Sequence, residues 1–392
     1  FNYVNGKAVT SSKKEIADEY KQQVRDLEEE FNVWIRQQDE IDSLVATYND
    51  VFNDHVPMEY DGSDLQLDNV ADWITPHDYQ AAAVRRLSDE GRGILAFDVG
   101  LGKTLSALSL AQYNAQKGRA KRTCIVVPKS VLENWYHETR QFHKSMDHVH
   151  FVGFTPKMKG GEVQREMVLD EDGNPKVGRN GEVQYRDVLT EDSAQVMFDK
   201  MNDIPQTSKK LIVMSRERFG MIPMRPETRE QYADRMVSRN LMSDSQAASL
   251  AQGEDVKLGR NGSYDDAKKS ERYQEKYNDD GTRKKDQYPF YEDMGFDSVI
   301  VDEGHEYKNT YQASGETQRL AYLPTPTPSK RSIDMAVKMD HLREQNQGAG
   351  PVMLTATPVT NSPVEIFNML SHSRTNGLVR VGAWSHQWEV EF

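Results

Sequence analysis

The sequence predicts an α/β fold built on a mainly parallel central sheet, and three observations carry that prediction. Short runs that are apolar on both faces recur along the chain: "GILAF" (93–97), "TCIVVP" (123–128), "KLIVMS" (210–215), "DSVIVDE" (297–303) and "PVMLTAT" (351–357). Strands buried on both sides of a parallel sheet have this pattern. The first run leads straight into a glycine-rich turn and a helical pattern, "FDVGLGKTLSALSL" (97–110). Another run ends in an acidic pair, Asp302 and Glu303.

With 392 residues the chain has room for two or three domains and a sizeable core. Its hydrophobic share of 37% and charged share of 28% are those of a globular protein. A net charge of -13 excludes a surface that is basic throughout, although a local basic strip would still serve a polyanion. Cys124 is the one cysteine, which rules out a disulfide framework and a cysteine-rich zinc site and points to a reducing compartment. No apolar run approaches the roughly 18 residues of a membrane span. The opening "FNYVNGKAVTSSKK" has no apolar core of a secretion signal. A first residue of Phe rather than Met suggests a piece of a longer protein.

Residues 1–66 are expected to form a helical extension and connector, and 67–392 the α/β domain. Ser12 and Glu15 make a capping box. Ile16, Tyr20, Val24, Leu27, Phe31 and Trp34 then recur at helical spacing through the 12–52 region. "HVPMEYDGSDLQLDN" (55–69) is a polar connector. Two surface insertions interrupt the α/β rhythm. In the first, at about 156–205, "GEVQREMVLDED" (161–172) is echoed by "GEVQYRDVLTED" (181–192), with turn sequences between, which predicts a β-hairpin or small meander. The second, 226–293, mixes charges of both signs and is expected to be part helical, part flexible; its "KLGRNG" (257–262) repeats "KVGRNG" (176–181).

A strand that ends in a glycine turn and opens a helix aims several backbone N–H groups at one point, where the helix dipole adds positive potential. Gly100, Gly102, Lys103, Thr104 and Leu105 are placed to form such a phosphate cradle. Lys103 would reach the β- and γ-phosphates of a nucleotide, and the Thr104 hydroxyl would ligate Mg²⁺. The first glycine of the usual G-x-x-x-x-G-K-[ST] pattern is absent, because Phe97 stands there. Asp302 would hold Mg²⁺ at the end of another buried strand, and Glu303 would polarise an attacking water. ATP and Mg²⁺ are therefore the expected cofactors.

The order GxGKT, "IVVPKSVLENWYHE", "LIVMSRERF", "VDEGHEYKN" and "MLTATPVTNSPVEIFNML" resembles the first lobe of Swi/Snf-type ATPases of helicase superfamily two. Within that group the chain is similar to large plasmid and phage proteins that fuse a DNA N6-adenine methyltransferase to such a helicase, antirestriction proteins carried in phage heads among them. The lead-in "LEEEFNVWI" and the trailing "HLREQNQGAGPVMLTATP" extend the resemblance to almost the whole chain. It implies a RecA-like P-loop domain and a motor that uses ATP to move on double-stranded DNA. The cell location it implies is the host cytoplasm, with packaging in a virion as a further expectation. Gln80 would read the adenine edge. His305 would couple the nucleotide site to Thr355 and Thr357. Pro128, Lys129, Ser130, Ser215 and Arg216 correspond to segments that touch the DNA backbone, and Asn361 lies in the "TPxxN" continuation. Departures from the family pattern are Phe97, Val99, Ala356 for the usual Gly, and "SRE" for "TYE"; none removes a group with a chemical duty.

The residues themselves leave blander readings open. Gln80 could be a solvated helix residue, Thr355 and Thr357 ordinary strand formers, and Lys129 and Arg216 unpartnered surface charges. Trp135 reads as core packing rather than a platform for a base. His137, His143, His148 and His150 crowd one stretch but lack the helical spacing and carboxylate of a zinc hydrolase. A motor of this type closes ATP between two lobes, and the arginine finger of the second contributes about 10³–10⁵ in rate. No Q-x-x-R-x-x-R run and no "NPP[FY]" or "DPP[YF]" signature occurs, so a second lobe and any methyltransferase are expected outside 1–392. The rivals are a non-hydrolysing structural or virion module that keeps the fold, and a nuclease subunit, for which neither insertion offers a convincing D...ExK set.

Overall fold

Each buried run becomes one strand of a single six-stranded sheet in the computed structural model. It describes residues 2–4, 7–9, 22–23, 25–27, 29–30, 33–34, 60–170, 172–177, 182–238, 244–251, 288–308, 329–346, 349–358, 365 and 368–373. In chain order the strands are β1 (Gly93–Leu95), β2 (Thr123–Val127), β3 (Val149–Phe151), β4 (Leu211–Ser215), β5 (Ser298–Val301) and β6 (Val352–Leu354). They lie side by side as β1-β6-β5-β2-β4-β3, and every pairing is parallel. β3 (149–151), at one edge, was not among the strands expected from the sequence. Its short "VHF" run has only two apolar residues to signal it.

Alternation along the strands sorts the core into two layers. Cys124, Val126, Ile212, Met214, Val299 and Val301 face one side; Ile125, Val127, Val213, Ile300 and Leu354 face the other. The second side is covered by helices α1 (Asp78–Glu90), α2 (Lys103–Gln116) and α3 (Leu132–Phe142) through Val84, Leu87, Leu108, Leu110, Trp135 and Phe142. The first side is covered by α4 (Ala194–Asp203), α5 (Arg216–Met221), α6 (Pro226–Ser238), α7 (Asp244–Ala251) and α8 (Lys330–Gln345). Serine caps start three of these: Ser193, Ser215 and Ser329 each accept from a backbone N–H three residues on.

The first insertion is a β-meander whose two echoed segments pair with each other. Arg165–Met167 runs antiparallel to Tyr185–Asp187, with Glu166 opposite Arg186. At the tip, Val168 donates to Gln184, Gln184 to Lys176 and Lys176 to Val168, a closed ring of backbone bonds at 2.8–2.9 Å. Its base is fixed by two buried carboxylates. Asp187 accepts from the Tyr136 hydroxyl at 3.2 Å, and Asp192 accepts from the Gly153 amide, Thr155 Oγ1 and Lys200 Nζ at 2.6–2.8 Å. The expected span to 205 also contains α4, whose Met197 and Met201 are buried in the core, so the meander itself ends near 191. In the second insertion, α6 packs Tyr232, Ala233 and Met236 into the same core; residues 252–287, including the "KLGRNG" echo, lie outside the described residues.

Residues 1–59 form a separate unit. It contains an antiparallel pair, Asn2–Val4 with Lys7–Val9, and helical residues between 22 and 34. Leu27 and Trp34, expected on a buried stripe, are exposed. The capping pair Ser12 and Glu15 lies outside the described residues. No helix among the described residues is long and apolar enough to cross a membrane.

The crowded histidines are a packing feature of α3 and β3. His143 is buried, with its ring against Phe142 and, at 4.4 Å between centroids, edge-on to His148. Burial, and then the neighbouring His148, push the His143 pKa down to about 3, and burial lowers that of His148. Among the described residues no group of three His, Cys, Asp or Glu side chains is placed to hold a metal. An unfolded histidine titrates near 6.5, so on acidification the unfolded chain takes up protons that the folded one refuses. Stability should therefore fall as pH drops from about 6.5 towards 3. Urea unfolding between pH 7.5 and 5 should show a flatter acid limb for His143→Phe, by up to about 1.4 kcal/mol per pH unit.

Candidate nucleotide site

The carboxyl ends of β1, β6 and β5 carry the candidate site, where ligands of open parallel sheets bind. After β1 the chain turns through Gly100 at φ +86° and Gly102 at φ +79°, and α2 begins at Lys103. The first amides of a helix have no partner within it, so those of Lys103, Thr104 and Leu105 face the loop. Gly102 cannot be replaced without disturbance. A Cβ there would stand 2.3 Å from Gln80 Nε2, in a backbone conformation that other residues avoid.

Gln80, in the first turn of α1, is buried against this loop. Its Oε1 accepts from the His77 amide at 2.9 Å and its Nε2 donates to the Leu101 carbonyl at 3.0 Å. Tyr79 Oη donates to the same carbonyl at 3.3 Å. The structure thus brings Gln80 to the phosphate loop, with both ends of its amide held by backbone. Phe97, where the usual glycine is missing, packs its ring edge-on to Tyr79 at 5.5 Å between centroids. Its carbonyl and that of Asp98 accept from Lys103 Nζ at 3.2 and 3.4 Å. The ammonium therefore rests on neutral loop carbonyls and is available to a more negative partner.

Asp302 and Glu303 follow β5. Asp302 Oδ1 accepts from the Glu303 amide and Oδ2 from Trp135 Nε1, each at 3.0 Å. Burial pushes the Asp302 pKa up, against the Trp135 hydrogen bond and the charge of Lys103, which lower it. A desolvated carboxylate is suited to a cation that restores its ionised form. Glu303 has φ +51°, one of two non-glycine residues in the left-handed region among the described residues. Such strain persists where surrounding structure fixes it. Here it is followed by Gly304, whose missing Cβ would lie 2.8 Å from Met353 Cβ. β6 can approach only because that position is glycine.

His305 joins the acidic turn to β6. Its Nδ1 lies 3.2 Å from Glu303 Oε2 and 3.1 Å from Thr355 Oγ1. Thr355 is fully buried, and its Oγ1 also accepts from the Thr357 amide at 3.1 Å, while the Thr357 residue itself is exposed. His305, Thr355 and Thr357 are thus brought together.

The segments expected to face a polyanion are brought together less uniformly. Lys129 and Ser130 are exposed on the turn before α3, and Lys129 Nζ pairs with Glu191 of the meander at 2.9 Å. Arg216 pairs with Glu217 at 3.2 Å and with Glu306 at 3.4 Å. Pro128 is buried. Ser215 is a correction: it is 4% exposed, and its hydroxyl caps α5 by accepting from the Arg218 amide, so no free side-chain face remains. Asn361 lies outside the described residues. Sequence reasoning placed Trp135 in the core, where it is, but missed its bond to Asp302.

A phosphate loop after an edge strand, with an acidic pair two strands away and a threonine strand between, defines a P-loop domain of helicase type. The SNF2-related domain model matches residues 29–252, and a probable helicase domain model matches 183–387. The chain belongs to the SNF2-related helicase family. It is 41% identical over 372 residues, 94% of its length, to the defense against restriction protein B of Escherichia phage P1, and it spans 16% of that relative's length. Over 81 residues, 19% of the chain and 8% of the relative, it is 42% identical to the ISWI chromatin-remodeling complex ATPase CHR11 of Arabidopsis thaliana. A solved structure of the Sulfolobus solfataricus SWI2/SNF2 ATPase core in complex with double-stranded DNA overlaps 79% of this chain and 37% of its own at 12% identity. The TM-score of that overlap is 0.32.

Replacing Gly102 with Ala should expel the Gln80 amide from the loop. The expected outcome is at least a tenfold loss of fluorescent-nucleotide binding with little change in circular dichroism, read by equilibrium titration.

Proposed function

We propose that this chain is the ATP-binding motor lobe of a DNA-dependent ATPase that translocates on double-stranded DNA, as part of a larger phage or plasmid protein. What supports the reading is the strand order, which sets the glycine turn before Lys103, the Asp302–Glu303 turn and the His305–Thr355 bond at the carboxyl ends of three adjacent strands. β6 alone separates β1 from β5, so the loop and the acids stand about two strand spacings apart, roughly 10 Å. Such a gap suits a metal-bound triphosphate.

The residues fit Mg·ATP. Mg²⁺ usually takes one or two protein oxygens besides phosphate and water, and Thr104 and Asp302 supply that number. When bound, the nucleotide supplies a phosphoanhydride whose cleavage releases the free energy for movement. The α2 amides and Lys103 hold and neutralise phosphate oxygens. Glu303 orients a water and accepts its proton. His305 transmits the position of Glu303 to Thr355 and so to the Thr357 backbone. Lys129 and Arg216 supply phosphate contacts that position the lobe on a duplex without reading its sequence. Closure against a second RecA-like lobe, carried elsewhere in the longer protein, provides an arginine finger and converts nucleotide state into displacement along DNA. The host cytoplasm, or a virion that delivers the protein there, is the compartment proposed.

In the full-length protein, duplex DNA should stimulate ATP turnover. Lys103→Ala should lower that turnover about 10²–10³-fold, as loss of one preorganised charge contact does. A stimulated rate that survives Lys103→Ala would sink the motor reading. DNA must also displace Glu191 from Lys129. An exposed pair is worth about 0.2–1 kcal/mol, so Glu191→Gln should tighten duplex binding about 1.5- to 5-fold in a fluorescence anisotropy titration. Lys129→Ala should instead weaken it and flatten the dependence of log K on log salt by about 0.9.

A further inference from the structure

We infer that Trp135 is a positioning residue for the metal ligand Asp302, acting from the helix that also begins at the Lys129 turn. The inference rests on the nucleotide-site reading above and adds a duty to a residue whose sequence context signals only packing. Trp135 is 2% exposed, in the layer of α1, α2 and α3. Its Nε1 can only donate, and it donates to Asp302 Oδ2 at 3.0 Å across 167 residues of sequence. The other oxygen, Oδ1, accepts from the Glu303 amide, and Glu303 is held in the left-handed conformation. The two donors approach different oxygens, so the carboxylate plane is fixed and the remaining lone pairs have one outlook.

An indole donor suits this task. Being neutral, it orients the carboxylate without competing with a cation for its charge, as a lysine or arginine in its place would. It is also buried in a packed core layer, which restricts its motion. Outer-shell partners of this kind typically contribute 10–100-fold in metal affinity. Trp135 lies on α3, directly after the turn Lys129–Val131. The turn assigned to DNA phosphate and the group that orients Asp302 are therefore adjacent in the chain.

The test uses the 392-residue chain, a fluorescent ADP as probe, and Mg²⁺ titrated at fixed nucleotide. Trp135→Phe keeps most of the ring volume and removes the donor. The expected result is a Mg²⁺ half-saturation raised 10–100-fold, with nucleotide binding in EDTA within twofold of wild type. A half-saturation within twofold of wild type overturns the inference. So does an equal loss of binding with and without metal, the signature of a merely structural role. Asp302→Asn tests the underlying reading separately: if it leaves the Mg²⁺ dependence unchanged, Asp302 is not the ligand, whatever Trp135→Phe does. A second measurement needs no tryptophan variant. In ¹H–¹⁵N spectra of the indole groups, the signal moved by Asp302→Asn should also be moved by Mg²⁺ at fixed ADP. If Asp302→Asn moves no indole signal, or Mg²⁺ leaves that signal unmoved, the assignment fails.

Discussion

The carboxyl edge of the sheet depends on one constraint: β6 must lie between β1 and β5, close enough to touch both. On one side the Thr355 amide donates to the Leu95 carbonyl of β1 at 3.1 Å. On the other, Met353 Cβ lies 2.8 Å from where a Cβ on Gly304 would stand. Thr355 is thereby fixed within hydrogen-bond reach of His305, and the acidic turn and the phosphate loop are held at a set separation. A larger residue at 304 would push β6 away and loosen all three segments together. The site is a property of strand order before it is a property of any side chain.

Charges around this edge are arranged in short, mutually satisfying sets. Lys103 rests on carbonyls and Asp302 on N–H donors, while Glu303 lies 3.2 Å from His305 Nδ1. Lys129 and Arg216, farther out, are paired with carboxylates. The exposed Lys129–Glu191 pair is weak, while the buried carboxylates at the meander's base, Asp187 and Asp192, anchor it by several bonds each. Glu191 is thus presented to Lys129 by a rooted strand, not by a free loop.

Much of this was legible in the chain itself, because it rests on local pattern. Doubly apolar runs mark strands buried on both faces, and a glycine turn between a strand and a helix marks the phosphate loop. The echoed segments 161–172 and 181–192 announced a pairing, since two similar strands joined by tight turns can fold on each other. The illegible features depend on partners distant in sequence. Trp135 in "LENWYHE" has the spacing of a core residue, and nothing within its helix points to residue 302. Ser215 was assigned by position in a motif, whereas its hydroxyl was claimed by the helix start immediately following it. α4 was folded into an insertion because its methionines show their burial only against the packed sheet. Phe97 breaks the loop's consensus, yet what meets Lys103 is its carbonyl, which any residue provides.

The turn that follows the acidic pair reaches beyond the nucleotide side. Within Gly304–Tyr307, His305 points to Thr355, while Glu306 pairs with Arg216 at the start of α5 and with Arg331 at 2.9 Å at the start of α8. Tyr307 is buried in the core between them. Four consecutive residues therefore connect β6, α5 and α8 through contacts that alternate in direction along a single 3₁₀ turn. His305 and Glu306 are adjacent in this turn, yet one meets β6 and the other meets α5 and α8.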